Sequence, residues 1–122
     1  MSIVKDDLTE KIIGCIVAVH RELGPGFLEK IYHYALLIEL QEQGLSARTE
    51  VTIDIKYKGR LVGTHRLDVI VNDTVVIETK TVRELAAHDY EQLRSYLKAS
   101  GNRVGLLANF AKPVSEFRRV EL

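Results

Sequence analysis

Two neighbouring runs, RLDVIVN at residues 66–72 and TVVIETK at residues 74–80, restrict the possible fold more than any other stretch. Val69 and Val71 flank Ile70, and Val75 and Ile77 flank Val76, so apolar side chains occur at both parities. Successive side chains of a strand leave opposite faces, so strands of this kind need cover on both sides. That is the position of central strands in a sheet held between helical layers. Three charges nevertheless sit within these runs: Asp68 in the first, and Glu78 and Lys80 at the end of the second. Charged groups are seldom buried unless they are paired or bind a metal.

The covering layers can be read from the flanking sequence. From Asp6 to Leu23, apolar residues at Leu8, Ile12, Cys15, Ile16, Val19 and Leu23 follow helical spacing with one buried stripe. The GPG at 24–26 breaks that helix, and a second is expected from about Phe27 to Gln43, stopped by Gly44. GPG reads as a hinge between helices or as a phosphate cradle ahead of a helix N-terminus. In EVTIDIKYKG, Val51, Ile53, Ile55 and Tyr57 alternate with polar residues, as in a half-exposed edge strand ending in a Gly59 turn. VRELAAHDYEQLRSYLKASG places Leu85, Ala86, Leu93 and Leu97 at helical spacing and stops at Gly101, and RVGLLANF and EFRRVEL read as two last strands. The expected order is therefore α-α-β-β-β-α-β-β in one α/β domain spanning residues 1–122.

Strand geometry makes a test of the embedded charges. Glu78 and Lys80 are two apart and share a face. With a two-residue turn at Asn72-Asp73, Asp68 would oppose Ile77 and point to the wrong face. A three-residue turn pairs Val71 with Val75 and sets Asp68 opposite Glu78, where side chains approach within ~5 Å. We take the odd loop or a bulge as the expectation. The competing reading is structural: two strand-end carboxylates in salt bridges with Lys80 and Arg66. If the pair converges with a backbone carbonyl, it makes a hard-oxygen site suited to Mg²⁺ or Mn²⁺, and a lysine beside it suits phosphodiester hydrolysis.

Composition narrows the partners. Lys plus Arg and Asp plus Glu each number 17, so no global basic excess drives indiscriminate binding to nucleic acid, and a polyanion must be met by a local patch. The candidates for such a track are Lys56, Lys58 and Arg60 near one turn, and Arg83, Arg94 and Lys98 around the third helix; as ordinary solvated charges they need no function. Cys15 is the single cysteine, inside the run IIGCIVAV, and reads as a buried structural thiol. That run is too short for a bilayer, which needs about 20 apolar residues, and no signal peptide is seen, so a soluble cytoplasmic protein without membrane contact is expected. His20, His33 and His65 share no metal-ligand spacing, which argues against zinc.

Asp68, then Glu78-Thr79-Lys80 after a short hairpin, then a helix with Gln92, resembles the PD-(D/E)XK nuclease superfamily, with Leu67 where a proline often precedes the aspartate. GFLEKIY, Gly26 to Tyr32, is similar to the GxxExxY signature of a small bacterial and archaeal family within it. The resemblance covers about residues 12 to 98. It implies a restriction-endonuclease-like core, a mixed β-sheet flanked by helices, and a metal-dependent nuclease acting on nucleic acid, DNA in the first place. By the same resemblance Asp68, Glu78, the Thr79 carbonyl and the helix acid Glu29 hold Mg²⁺ or Mn²⁺, and Lys80 positions water or stabilises phosphate. Gln92 and Tyr96 match a Q-x-x-x-Y pattern of the exonuclease-like branch, with the glutamine near the lysine. Tyr32 and Tyr96 are read as supports, and His88, four residues before Gln92, either touches the site or is a solvated helix position. So small a domain covers little duplex, which points to a homodimer, a partner subunit or a structured substrate. The alternative function is a nucleic-acid-binding or regulatory module that keeps the nuclease fold without turnover.

Overall fold

The computed structural model describes residues 7–122. Along the chain come α1 (Asp7–Leu23), α2 (Glu29–Glu42), β1 (Ala47–Tyr57), β2 (Arg60–Val71), β3 (Val75–Lys80), α3 (Ala87–Ser100), β4 (Val104–Asn109) and β5 (Glu116–Glu121). The element order and types match the expectation from sequence; Asp6, placed in the first helix there, lies outside the described residues. The strands form one sheet in the order β1-β2-β3-β4-β5. β3 and β4 run parallel and the other neighbours antiparallel, so the sheet is mixed. No helix among the described residues is long and apolar enough to cross a membrane.

β2 and β3 are interior strands, as their two-sided apolar pattern requires. On one face Val69, Val71, Val75, Ile77, Leu106 and Ala108 pack under Ile12, Ile16 and Val19 of α1 and Leu36 and Leu40 of α2. On the other, Leu67, Ile70, Val76 and Leu107 pack under Leu93, Tyr96 and Leu97 of α3. Removing each such Leu, Ile or Val side chain from water contributes about 1.5–3 kcal/mol, so both layers bind the sheet strongly. Cys15 is in the first core with 2 % exposure, and burial, helped by the nearby Glu39, pushes its thiol up to about 11, beyond nucleophilic use.

The starts of α2 and α3 differ from the sequence reading, and for the same physical reason: side chains take up the backbone groups ahead of each helix. Periodicity carries α2 back to Phe27, but Gly24 and Gly26 take left-handed φ of 69° and 113°, and the Phe27 N–H donates to the Tyr32 hydroxyl at 3.1 Å. The same hydroxyl donates to the Gly24 carbonyl, so Tyr32 holds the turn closed and the helix begins at Glu29. The third helix, expected from Val82, begins at Ala87. Asn109 binds the Val82 N–H and carbonyl at 3.0 and 2.8 Å, and the Asp89 carboxylate takes the Ala86 N–H at 2.8 Å as an N-terminal cap.

β1 is an edge strand, but it does not keep one face throughout. Thr49 pairs with Val69 and Val51 with Leu67, while the rung between them, Glu50 and Asp68, drops out of the ladder and Glu50 takes φ 54°. Below this point Ala47 and Val69 belong to the α1–α2 core; above it Val51, Ile53 and Leu67 belong to the α3 core. The hairpin changes face at Asp68.

α3 lies close on β4: a Cβ added at Gly105 would stand 2.9 Å from Leu93 Cδ1. Gly105→Val should therefore lower the unfolding free energy by about 1–3 kcal/mol through overpacking, read as a lower denaturant midpoint at unchanged slope. An unchanged midpoint would show that α3 is not seated on β4 in this way.

Candidate active site

The β2–β3 hairpin resolves the register. Its loop is the three residues Asn72 to Thr74, with Asn72 and Asp73 at φ 51° and 55° and the Thr74 N–H donating to the Val71 carbonyl at 3.0 Å. Val71 pairs with Val75, Ile70 with Val76 and Val69 with Ile77. The next rung would join Asp68 to Glu78, and there the strands part. Side chains replace the ladder. The Asp68 N–H donates to Glu78 Oε2 at 3.2 Å, while the Thr79 N–H and hydroxyl donate to Asp68 Oδ2 at 3.0 and 3.2 Å. Each carboxylate thus commits one oxygen to the partner strand and keeps the other.

This fork is poor in compensating charge. Arg66 pairs with Glu50 at 3.1 Å and Lys80 with Asp89 at 3.5 Å, so the salt bridges of the competing structural reading, from Lys80 and Arg66 to the carboxylate pair, do not form among the described residues. Glu78 is 5 % exposed, and burial together with the Asp68 charge pushes its carboxyl up to about 8. Glu29, at the first turn of α2, is raised too, by desolvation and then by Asp68, against the pull of Lys80 and the Thr81 N–H. Three acids therefore feel one another here, delivered by β2, β3 and α2. On the α2 side the fork opens into a groove of about 400 Å³ lined by Glu29, Lys30, Tyr34, Arg66, Asp68 and Thr79.

Lys80 leaves β3 towards α3. Its ammonium donates to Gln92 Oε1 at 3.4 Å and sits 3.5 Å from Asp89 Oδ1. Burial alone would raise the Asp89 carboxyl, but the Ala86 N–H, Lys80 and His88 outweigh it and hold the group below its ordinary range. His88 is on the surface, 3.4 Å from Asp89 Oδ1, and meets the site only through that residue. Tyr96, on the buried face of α3, has its hydroxyl pKa raised by desolvation and by Glu78 and Asp68, which places it within the field of the pair. Tyr32 is instead a core tyrosine stacked on Phe110 at 4.6 Å. It serves the site by closing the turn that sets Glu29.

Sequence reasoning missed two residues. Asp89, which aims Lys80, was signalled as an acid in the first turn of a helix, three residues before Gln92 and on its side. Asn109, fully buried, accepts the Ala111 N–H, donates to Glu116 Oε1 at 2.9 Å and binds Val82, 27 residues away; that last contact leaves no local pattern.

Two adjacent carboxylates, one of them buried and forced towards its neutral form, with spare oxygens and no ion pair of their own among the described residues, suit a hard cation. Among the described residues no three His, Cys, Asp or Glu side chains form a complete cage, so further ligands would come from backbone carbonyl or water.

A model of the PD-(D/E)XK nuclease superfamily matches residues 6–120. The chain belongs to this superfamily. No curated protein sequence gives a significant match. Among solved structures, the fold is similar to that of SSO0001, with a TM-score of 0.63 and 23 % identity over 98 % of this chain and 70 % of that one. It is also similar to an alkaline exonuclease, LHK-Exo from Laribacter hongkongensis, with TM-score 0.55 and 14 % identity over 98 % of this chain and 72 % of that one. The LHK-Exo complex with dAMP gives 0.51 and 14 % over 93 % and 82 %. These likenesses show the nuclease fold, as the strand order and embedded acids suggest.

The raised Glu78 carboxyl has a thermodynamic sign. The folded chain keeps a proton that the unfolded chain releases above about 4.5, so stability is full below that pH and falls as pH rises towards about 8. Glu29 acts in the same sense; Asp89 and Glu116, held low, act oppositely but only in the acid range. In EDTA, Tm should fall by at least about 3 °C between pH 5 and pH 8, and Glu78→Gln should flatten that slope. An equal fall in the variant would place its origin elsewhere.

Proposed function

We propose that the chain is a divalent-metal-dependent phosphodiester hydrolase acting on nucleic acid, DNA in the first place. The observation that carries this reading is the Asp68–Glu78 exchange at the fork with Lys80 held beside it on the same strand. Asp68, Glu78 and the Thr79 carbonyl would hold Mg²⁺ or Mn²⁺, with Glu29 reaching the ion or one of its waters. When bound, the ion would supply Lewis acidity at a phosphoryl oxygen and lower the pKa of water.

The remaining work falls to the chain itself. Thr79 fixes the Asp68 carboxylate through two hydrogen bonds, so its free oxygen has a set direction. Lys80, restrained by Gln92 and Asp89, presents its ammonium on the side of β3 that Glu78 shares. There it orients the attacking water and stabilises charge gathering on the phosphoryl oxygens. Asp89 is the positioning residue for Lys80. Tyr32 and the two turn glycines deliver Glu29; Gly26, Glu29 and Tyr32 are the spaced residues of GFLEKIY, which supports placing the chain in the GxxExxY branch.

The Lys80–Asp89 pair favours one competing reading, a silent nucleic-acid-binding module, because it withholds part of the ammonium from substrate. Incubating purified protein with Mg²⁺ or Mn²⁺ and single-stranded, duplex or branched DNA separates the two. Wild type should release fragments and stop in EDTA, and Asp68→Asn and Lys80→Ala should each slow release by about 100-fold or more. Metal binding with no cleavage above the variants would select the silent module.

A further inference from the structure

A second groove, of about 680 Å³, opens between the β1–β2 hairpin and α3, and none of Asp68, Glu78 or Lys80 lines it. Lys56 enters it from β1, His65 from β2, and Ser95 and Lys98 from α3, with Asp54 the acid among the lining residues. A register shift between Ile55 and Lys56 bends the hairpin where it meets α3. Two of the lysines from the candidate basic track, distant in sequence, are thereby brought to one concavity, and neither takes part in an ion pair among the described residues.

One aromatic side chain, His65, lines this groove. The half-buried His65 ring lies against Tyr96 with centroids 4.7 Å apart and planes tilted by 59°. Tyr96 in turn stands in the field of Glu78 and Asp68. His65 lies three residues before Asp68 on β2, about 10 Å along the strand, so an occupant of the groove lies near the reacting phosphate of the proposed hydrolysis. Lysine ammonium groups suit phosphate oxygens as point charges, and a ring backed by a second ring suits the face of a nucleobase. In a duplex the bases are stacked on one another and offer no free face to His65; an unpaired strand does.

We infer that this groove binds the nucleotide flanking the cleaved phosphodiester on an unpaired nucleic-acid strand, with Lys56 and Lys98 holding phosphate oxygens and His65 stacking on the base. That this nucleotide flanks a cleaved bond rests on the nuclease reading, but the binding itself is independent of turnover.

Fluorescence anisotropy of dye-labelled oligothymidylate and oligouridylate in EDTA, where no metal-dependent cleavage interferes, tests it. Wild type should bind at least one of the two single strands about tenfold or more tightly than a duplex of equal length. Lys56→Ala and Lys98→Ala should each weaken binding several-fold and reduce the salt slope by about 0.7. His65→Ala should weaken it by about tenfold and His65→Phe should restore it, while Arg119→Ala, on β5 at the opposite edge of the sheet, should bind as wild type. Absence of binding by wild type, preference for duplex, or unchanged binding by the lysine and histidine variants would overturn the inference. Because the readout is binding, loss of the nuclease reading in a cleavage assay leaves it standing, and a cleaving enzyme whose strand affinity ignores Lys56, Lys98 and His65 overturns it alone.

Discussion

One exchange of hydrogen bonds organises the molecule: where the β2–β3 ladder should continue from Val69–Ile77, carboxylates take over from carbonyls. A backbone N–H that leaves a ladder must find another acceptor. Asp68 and Thr79 find theirs in each other's neighbourhood, in Glu78 and Asp68. The strands can therefore part without orphaning donors, and the parting opens a space bordered by negative oxygen. The change of face at Glu50 and Asp68 belongs to the same event. It frees Asp68 from regular pairing on its β1 side as well, so its carboxylate turns towards β3.

The architecture supports this fork from both layers. From α1 and α2 comes a core whose Tyr32 closes the glycine turn and sets Glu29 near the fork; from α3 come Asp89 and Gln92, which restrain Lys80. Burial of Glu78 makes the arrangement unfavourable for two free carboxylates and favourable for a proton or a cation. Glu78 thus costs stability where it sits, at the end of an otherwise apolar strand.

Much of this was legible in the residues. Two-sided apolar patterning in β2 and β3 requires helices on both faces, and loop arithmetic over Asn72, Asp73 and Thr74 brings Asp68 opposite Glu78. Local chemistry of this kind is written in spacing. What spacing does not carry is competition for backbone groups by distant side chains: Asn109 on Val82 shortens α3. Nor does it carry the switch at Glu50, because Val51, Ile53 and Ile55 alternate correctly on their own side and nothing in the pattern says that Ala47 faces the other way. The structural reading, in which Arg66 and Lys80 neutralise the pair, is equally compatible with sequence; geometry decides against it, since each cation has a different partner.

The proposed hydrolysis stands or falls on Asp68 and Glu78 forming one cation-seeking pair across the fork. Anomalous diffraction from crystals soaked in Mn²⁺ tests it most directly. A manganese peak bonded to an oxygen of each carboxylate is expected, lost in Asp68→Asn crystals. Manganese bound elsewhere on the chain, or an empty fork with Glu78 turned to Lys80, would contradict it.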